Sequence, residues 1–166
     1  MNIRTAKVED LEAIVDIYNQ AITAGQKTAD TKQVAIDDQE QWFEGHIAKR
    51  HPIFVAEDSN IIVGYLSISA YRPGRQALRF TAEVSYYIHF EHHRKGVASN
   101  LLQHAIVMCP ALQIKTLFAI LMDSNQASIG LLEKHGFQKW GHMPKVAEVD
   151  GVEVGHLYYG LRINKC

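Results

Sequence analysis

One stretch constrains this chain more than any other: Glu91-His92-His93-Arg94-Lys95-Gly96-Val97-Ala98-Ser99-Asn100-Leu101-Leu102. A β-rich run, Val84-Ser85-Tyr86-Tyr87-Ile88, leads into it. An apolar helical pattern of Val97, Leu101, Leu102, Ala105 and Ile106 leaves it. The chain must therefore pass from strand to helix through a short basic turn of small residues. The first N–H groups of a helix have no internal partner, and the helix dipole adds partial positive charge there. Gly96, Ala98 and Ser99 let an anion approach that backbone, and Arg94 and Lys95 add positive charge. The pattern predicts a phosphate site, although it fits neither the P-loop nor the dinucleotide Gly-x-Gly-x-x-Gly spacing. An ordinary basic helix start is the alternative for the turn by itself.

The 166 residues suit one domain, 1–166, with enough chain to bury a core. A formal net charge of −1 gives no sign of a nucleic-acid partner or of polybasic adhesion to a membrane. No apolar run approaches the ~18 residues of a spanning helix. Met1-Asn2-Ile3-Arg4-Thr5, followed by Glu9 and Asp10, has no signal-type apolar stretch. Cys109 and Cys166 are distant and form no metal or redox spacing, and Cys109 reads as a core residue. These features predict a cytoplasmic protein with reduced thiols.

Periodicity predicts a strand over Ile3–Lys7 and a helix over Val8–Thr23, with Leu11, Ile14, Val15, Tyr18 and Ile22 on one face. A polar loop, Ala24–Ala35, precedes a second helix opened by Asp37 and Asp38, with Trp42, Phe43, His46 and Ile47 as its apolar stripe. Strands follow at Ile53–Glu57, Ile61–Ala70 and Arg79–Ile88, the last two separated by a turn at Arg72-Pro73-Gly74-Arg75. Then come a helix over Gly96–Met108, a strand over Thr116–Leu121 and a helix over Asn125–His135 ended by Gly136. A late hairpin pairs Phe137–Val149 with Val152–Ile163 around Asp150-Gly151. The expected fold class is α/β (mixed α+β): a mixed sheet containing one parallel pair, with helices on its faces.

Four motifs, Glu83-x-x-x-Tyr87-Ile88, His93-Arg94-Lys95-Gly96-Val97-Ala98, Asn125-x-x-Ser128 and His135-Gly136-Phe137, together resemble the GNAT superfamily of N-acetyltransferases. Ile17-Tyr18-Asn19, Arg79-Phe80-Thr81-Ala82-Glu83 and Met143-Pro144 are most similar to its phosphinothricin N-acetyltransferase group. The resemblance covers essentially the whole chain. It implies a partly splayed central sheet and acetyl-CoA as co-substrate, its pyrophosphate on the N–H groups of Arg94, Lys95, Gly96, Val97, Ala98 and Ser99. The pantetheine arm would lie along Tyr86, Tyr87 and Ile88 as a surrogate strand, with Asn125 and Ser128 near its thiol end. A helix cap is the structural alternative for Asn125.

The resemblance also implies the chemistry. An amine attacks a thioester only as the free base, so a carboxylate in a cleft must take its proton. The group's catalytic Glu aligns with Glu83, whose structural alternative is an ion pair with Arg79 or another cation. A backbone N–H of the Tyr86–Ile88 strand would stabilise the oxyanion. Arg79, with Phe80 and Thr81, lies beside the acceptor site, where a guanidinium suits a carboxylate or phosphinate. Arg72 and Arg75 read as turn charges. The implied partner is a small amine, without nucleic acid or membrane. Relatives are commonly dimers, and the apolar late hairpin offers an interface.

The chain departs from the pattern at several points. His93 stands where Gln or Arg is usual, and Ala98 where Gly is usual. Leu132 occupies the position of a Tyr or His that serves many relatives near the thiol, with His135 one turn further on. The group's late Trp-x-Asp reads Glu153-Val154-Gly155, in the segment that shapes the acceptor pocket. His89-x-x-His92-His93 has no evident fourth ligand, so no metal is expected. Two other functions stay open: acetylation of a protein N-terminus or lysine, and acyl-CoA binding without catalysis.

Overall fold

Alternate side chains of the inner strands feed two apolar clusters, one on each face of a single sheet. The computed structural model describes residues 1–46 and 49–163. In chain order its elements are β1 (Asn2–Thr5), α1 (Leu11–Ala24), α2 (Ile36–His46), β2 (Ile53–Asp58), β3 (Ile61–Ala70) and β4 (Thr81–Ile88). They continue with α3 (Val97–Met108), β5 (Thr116–Met122), α4 (Gln126–Lys134), β6 (Gln138–Val149) and β7 (Val152–Arg162). The sheet order is β1-β2-β3-β4-β5-β7-β6, and β4–β5 is its parallel pair. This is the expected mixed α/β architecture. No helix among the described residues is long and apolar enough to cross a membrane.

The splay is located by register. β4 pairs with β3 along its whole length, from Ala82↔Ala70 to Ile88↔Gly64. Against β5 it pairs only at Thr81↔Thr116, Ala82↔Leu117 and Glu83↔Phe118. From Val84 onward the β5 side of β4 is therefore without a strand partner among the described residues, and such an open edge can pair with an extended ligand. Ala82, Val84, Tyr86 and Ile88 join Leu101, Leu102 and Ala105 of α3 and Leu132 of α4 in one cluster. Tyr87 belongs to the other, with Ile14, Val15 and Ile17 of α1 and Phe43 of α2. Period-2 alternation puts Glu83 and Ser85 on that α1–α2 face.

Gly64 sets the spacing between the end of β4 and the start of α3. A Cβ there would lie 2.7 Å from Ile88 Cδ1, 3.0 Å from Val97 Cγ1 and 3.2 Å from the Tyr87 carbonyl oxygen. The loop between α1 and α2 is tied down by the Tyr18-Asn19 pair. The Tyr18 hydroxyl donates to Asp30 at 2.5 Å and lies 2.8 Å from the Thr28 hydroxyl. Asn19 exchanges two hydrogen bonds with the Val34 backbone, at 2.9 and 3.0 Å. At the other end of α1, Arg4 of β1 donates to both carboxylate oxygens of Asp10 (2.7 and 2.9 Å) and to Glu57 of β2 (2.8 Å).

Several boundaries differ from expectation. Residues Val8–Asp10 form a 3₁₀ turn before α1, because the Asp10 carboxylate takes the Lys7 N–H (2.7 Å) and the Arg4 guanidinium. The strand expected from Arg79 begins at Thr81. Gln76–Leu78 makes a 3₁₀ turn instead, and both the backbone N–H and the Nη1 of Arg79 return to the Gln76 carbonyl. His46 is not part of an apolar stripe: its ring bonds the Trp42 carbonyl and the Ser69 hydroxyl. Ile47 and Cys166 lie outside the described residues. Cys109 is buried with its thiol donating to the Ala105 carbonyl, and burial pushes that thiol up to about 12.

Candidate active site

The turn after β4 adopts the backbone that small residues permit. Arg94 has φ +60° and Gly96 φ +80°, and Gly96 is the N-cap of α3 without a side-chain cap bond. The first helical backbone bond recorded at this cap is Asn100 N–H to the Gly96 carbonyl. The N–H groups of Val97, Ala98 and Ser99 thus lack intrahelical partners. Arg94, Lys95 and Gly96 are exposed around them. His93 fixes the approach: its Nε2–H donates to the Ile88 carbonyl at 2.9 Å, tying the turn to the strand end. The Ser99 hydroxyl lies 2.7 Å from His135 Nε2, so His135 braces the start of α3.

The splayed half of β4 carries three expected residues with three different surroundings. Ile88 packs on the α3 cluster. Tyr86 points the same way, its hydroxyl buried beside Ser128 but without a hydrogen bond of good geometry, and burial raises it to about 12. Tyr87 faces α1, edge-on to Tyr18 (4.9 Å between centroids) and tilted against Tyr65 (5.5 Å). Its side chain is thus engaged in packing, and only its backbone faces the splay. Across the opening, Asn125 is the N-cap of α4: Oδ1 accepts the Ser128 N–H at 3.3 Å. The cap alternative is therefore realised. The Asn125 Nδ2 makes no hydrogen bond among the described residues.

Glu83 sits on the last rung of the β4–β5 ladder, half-buried on the α1–α2 face. Burial alone raises its carboxyl above the ordinary range. No ion pair or side-chain hydrogen bond to Glu83 occurs among the described residues. In particular Arg79 is elsewhere, its guanidinium 4.2 Å over the Phe80 ring with Nη1 on the Gln76 carbonyl. Phe80 also receives Arg50 at 5.5 Å and Lys115 at 4.5 Å. Just before Glu83 a cleft is lined by Arg50, His51, Arg72, Arg75, Arg79 and Thr81, with no acidic residue in its wall. Arg50 and His51 carry no sequence signal for this cleft because the α2–β2 connection, far away in the chain, delivers them.

The departures have structural explanations. Leu132 is fully buried in the α3–α4 cluster, so its position supplies packing and no proton donor. At Gly155 a Cβ would lie 2.4 Å from Asp123 Oδ2, 2.6 Å from His142 Nε2 and 2.8 Å from the Met143 carbonyl oxygen. The space of the absent side chain is filled by the Asp123–His142 pair, whose 3.0 Å contact holds the Asp123 carboxyl below its usual range. Tyr159 is core, its hydroxyl donating to Glu133 at 3.0 Å. His89 stacks on Phe90 at 4.7 Å.

The sequence matches the acetyltransferase (GNAT) family over residues 11–137. The YwnH protein of Bacillus subtilis is 45% identical over 152 residues, covering 91% of this chain and 92% of that one. The L-methionine sulfoximine/L-methionine sulfone acetyltransferase of Pseudomonas aeruginosa is 35% identical, covering 90% of this chain and 87% of its own. A phosphinothricin acetyltransferase from Sinorhizobium meliloti, crystallised with acetyl-CoA, superposes with a TM-score of 0.93 at 26% identity, covering 98% of this chain and 88% of that one. Fold and motifs define an acetyl-CoA-dependent N-acetyltransferase. The chain belongs to the GNAT family and is related to the phosphinothricin and methionine sulfoximine acetyltransferases.

Proposed function

We propose that this enzyme acetylates the primary amine of a small amino acid or analogue, of the phosphinothricin or methionine sulfoximine type, with both substrates bound together and Glu83 as general base. The observation that carries the reading is the half-buried carboxylate of Glu83, without an ion-pair partner among the described residues, at the point where β4 and β5 part. Acetyl-CoA supplies an activated acetyl thioester. The free N–H groups at Val97, Ala98 and Ser99, with Arg94 and Lys95, suit its diphosphate. The open edge of β4 from Val84 to Ile88 and the Asn125 amide suit the amides of its arm. Glu83 takes one proton from the substrate ammonium. The nitrogen then bonds the acetyl carbon as the carbon–sulfur bond breaks, and the second nitrogen proton goes to sulfur or solvent. The net change is ammonium plus thioester to amide, thiol and one proton.

The acid-free cleft of Arg50, Arg72, Arg75 and Arg79 next to Thr81 supports an acceptor that carries a carboxylate or phosphinate. The relatives named for amino-acid analogues support the same class. The test is thiol release from acetyl-CoA over a panel of amino acids, methionine sulfoximine, phosphinothricin, diamines and short peptides. Amino-acid analogues should lead, and their decarboxylated amines should be at least tenfold poorer, about the worth of one charged hydrogen bond. Preference for peptides or diamines, or an empty panel, rejects the proposal.

A further inference from the structure

A polar pair that the expected site does not use lies on the α2 side of Glu83. His46, in the last turn of α2, has Nδ1 2.7 Å from the Trp42 carbonyl oxygen and Nε2 2.9 Å from Ser69 Oγ. A carbonyl only accepts, so Nδ1 carries the hydrogen. In the neutral ring Nε2 is then an acceptor, and the Ser69 hydroxyl must donate to it. The Trp42 ring packs on the imidazole at 4.8 Å between centroids, which holds this orientation. Against the neutral ring the single hydroxyl hydrogen of Ser69 is therefore committed to His46, and its remaining lone-pair capacity can only accept.

Ser69 is the direct cross-strand partner of Glu83. Such partners share a face, with Cβ atoms about 4.5–5.5 Å apart. A carboxylate and a hydroxyl oxygen of fixed polarity thus stand side by side at the splay. We propose that Ser69 is the second acceptor for the substrate ammonium, and that His46 is a positioning residue that sets the polarity of Ser69. The inference rests on the reading of Glu83 as base and extends it. Glu83 removes one N–H proton; Ser69 keeps hold of another, so the neutral amine stays seated after deprotonation. Water is a poorer host for that instant, since it would leave the amine free to turn or depart.

The test uses the fastest amine of the panel above; an empty panel removes this proposal with the one it rests on. Ser69→Ala should raise the KM for the amine about tenfold, the worth of one hydrogen bond to a charged group. It should leave the KM for acetyl-CoA and the melting shift caused by acetyl-CoA within about twofold. Ser69→Thr, which keeps the hydroxyl on a strand-favouring residue, should recover most of the loss. In His46→Gln the side-chain amide can turn either end to Ser69, so polarity is no longer fixed. This variant should weaken amine use severalfold, yet add nothing in the Ser69→Ala background. An unchanged amine KM in Ser69→Ala, no recovery with Thr, or additive losses overturns the proposal. Glu83→Gln is measured in parallel: if it keeps full turnover the base assignment fails, whereas a dead Glu83→Gln beside an unaffected Ser69→Ala sinks only the role of Ser69.

Discussion

Glu83 and Phe118 are the last residues of β4 and β5 to face each other in register before the two strands separate. A carboxylate is thereby held by continuous backbone pairing on its N-terminal side and borders an open cleft on the other. The arrangement ties the position of the proposed base to the geometry of the splay itself, since both are consequences of one rung.

Burial raises the Glu83 carboxyl, with no compensating cation among the described residues. The ionised form is thus less favourable folded than unfolded, and its cost to stability appears as pH rises through the raised value. Glu83→Gln should therefore melt higher than the parent at neutral pH and match it in acid, while turnover falls at least about a hundredfold. The acid limb of kcat/KM in the parent should lie above the ~4.3 of an ordinary Glu. Scanning calorimetry and a pH–rate profile check both; a lower melting point for Glu83→Gln at neutral pH contradicts the stated environment.

The left-handed Gly96 and the cations beside it contribute differently. Gly96→Ala should cost roughly 1–2 kcal/mol of stability, the strain of a Cβ at positive φ. Arg94→Gln with Lys95→Gln should leave melting nearly unchanged but weaken CoA binding about tenfold at low salt, the gap narrowing by about 0.5 M salt as exposed charges are screened. Titration calorimetry at two salt concentrations separates backbone from charge.

Asn125 combines a cap with a free amide, and substitution divides the two. Asn125→Ala should lose about 1 kcal/mol of stability and raise the KM for acetyl-CoA. Asn125→Asp keeps an acceptor for the Ser128 N–H, so it should restore melting without restoring KM. Recovery of both by Asp would mean that the amide does nothing for the co-substrate.

Gly155 cannot take the Asp that the resemblance implies at this position while Asp123 and His142 fill the space. Gly155→Asp should lose about 1–3 kcal/mol through overpacking, with carboxylate repulsion in addition. Asp123→Ala in that background should recover part of the loss, read as a melting temperature.

Asp10 is desolvated, yet the Arg4 and Lys7 bonds outweigh that and hold its carboxyl below the usual range. A lowered folded value means stability that is present above the unfolded pKa of ~3.9 and drains away as pH falls below it. Asp10→Asn should destabilise by about 2 kcal/mol at neutral pH, where it breaks a charged hydrogen-bond pair. The difference from the parent should shrink toward pH 3 in urea titrations.

Much of the architecture was legible because burial imposes a period. Ile61–Ala70 was found to the residue, and the Gly96 turn and Gly136 stop bounded their helices closely. The strand expected from Arg79 starts two residues early: Phe80 favours β-structure, while the Gln76 carbonyl that captures Arg79 is a local contact with no periodic signal. Spacing puts His46 on an apolar stripe; only the packing of α2 on β3 reveals that its ring serves Ser69. Arg50 reaches Phe80 across a separation that no spacing rule encodes. The chemistry-bearing motifs lie on one strand and two helix starts and so are contiguous in sequence, whereas the residues that orient them converge from distant segments.

The bare backbone of Gly64 has a consequence for how this enzyme tolerates change. Ile88, Val97 and the Tyr87 carbonyl all close on the volume where a methyl group would stand. Alanine there requires the Ile88 Cδ1 methyl to turn away and Val97 of α3 and the Tyr87 carbonyl of β4 to give by a few tenths of an ångström. Position 64 should thus be among the least mutable in the chain although it meets neither substrate, and damage there should surface as a lost grip on CoA before it surfaces as unfolding.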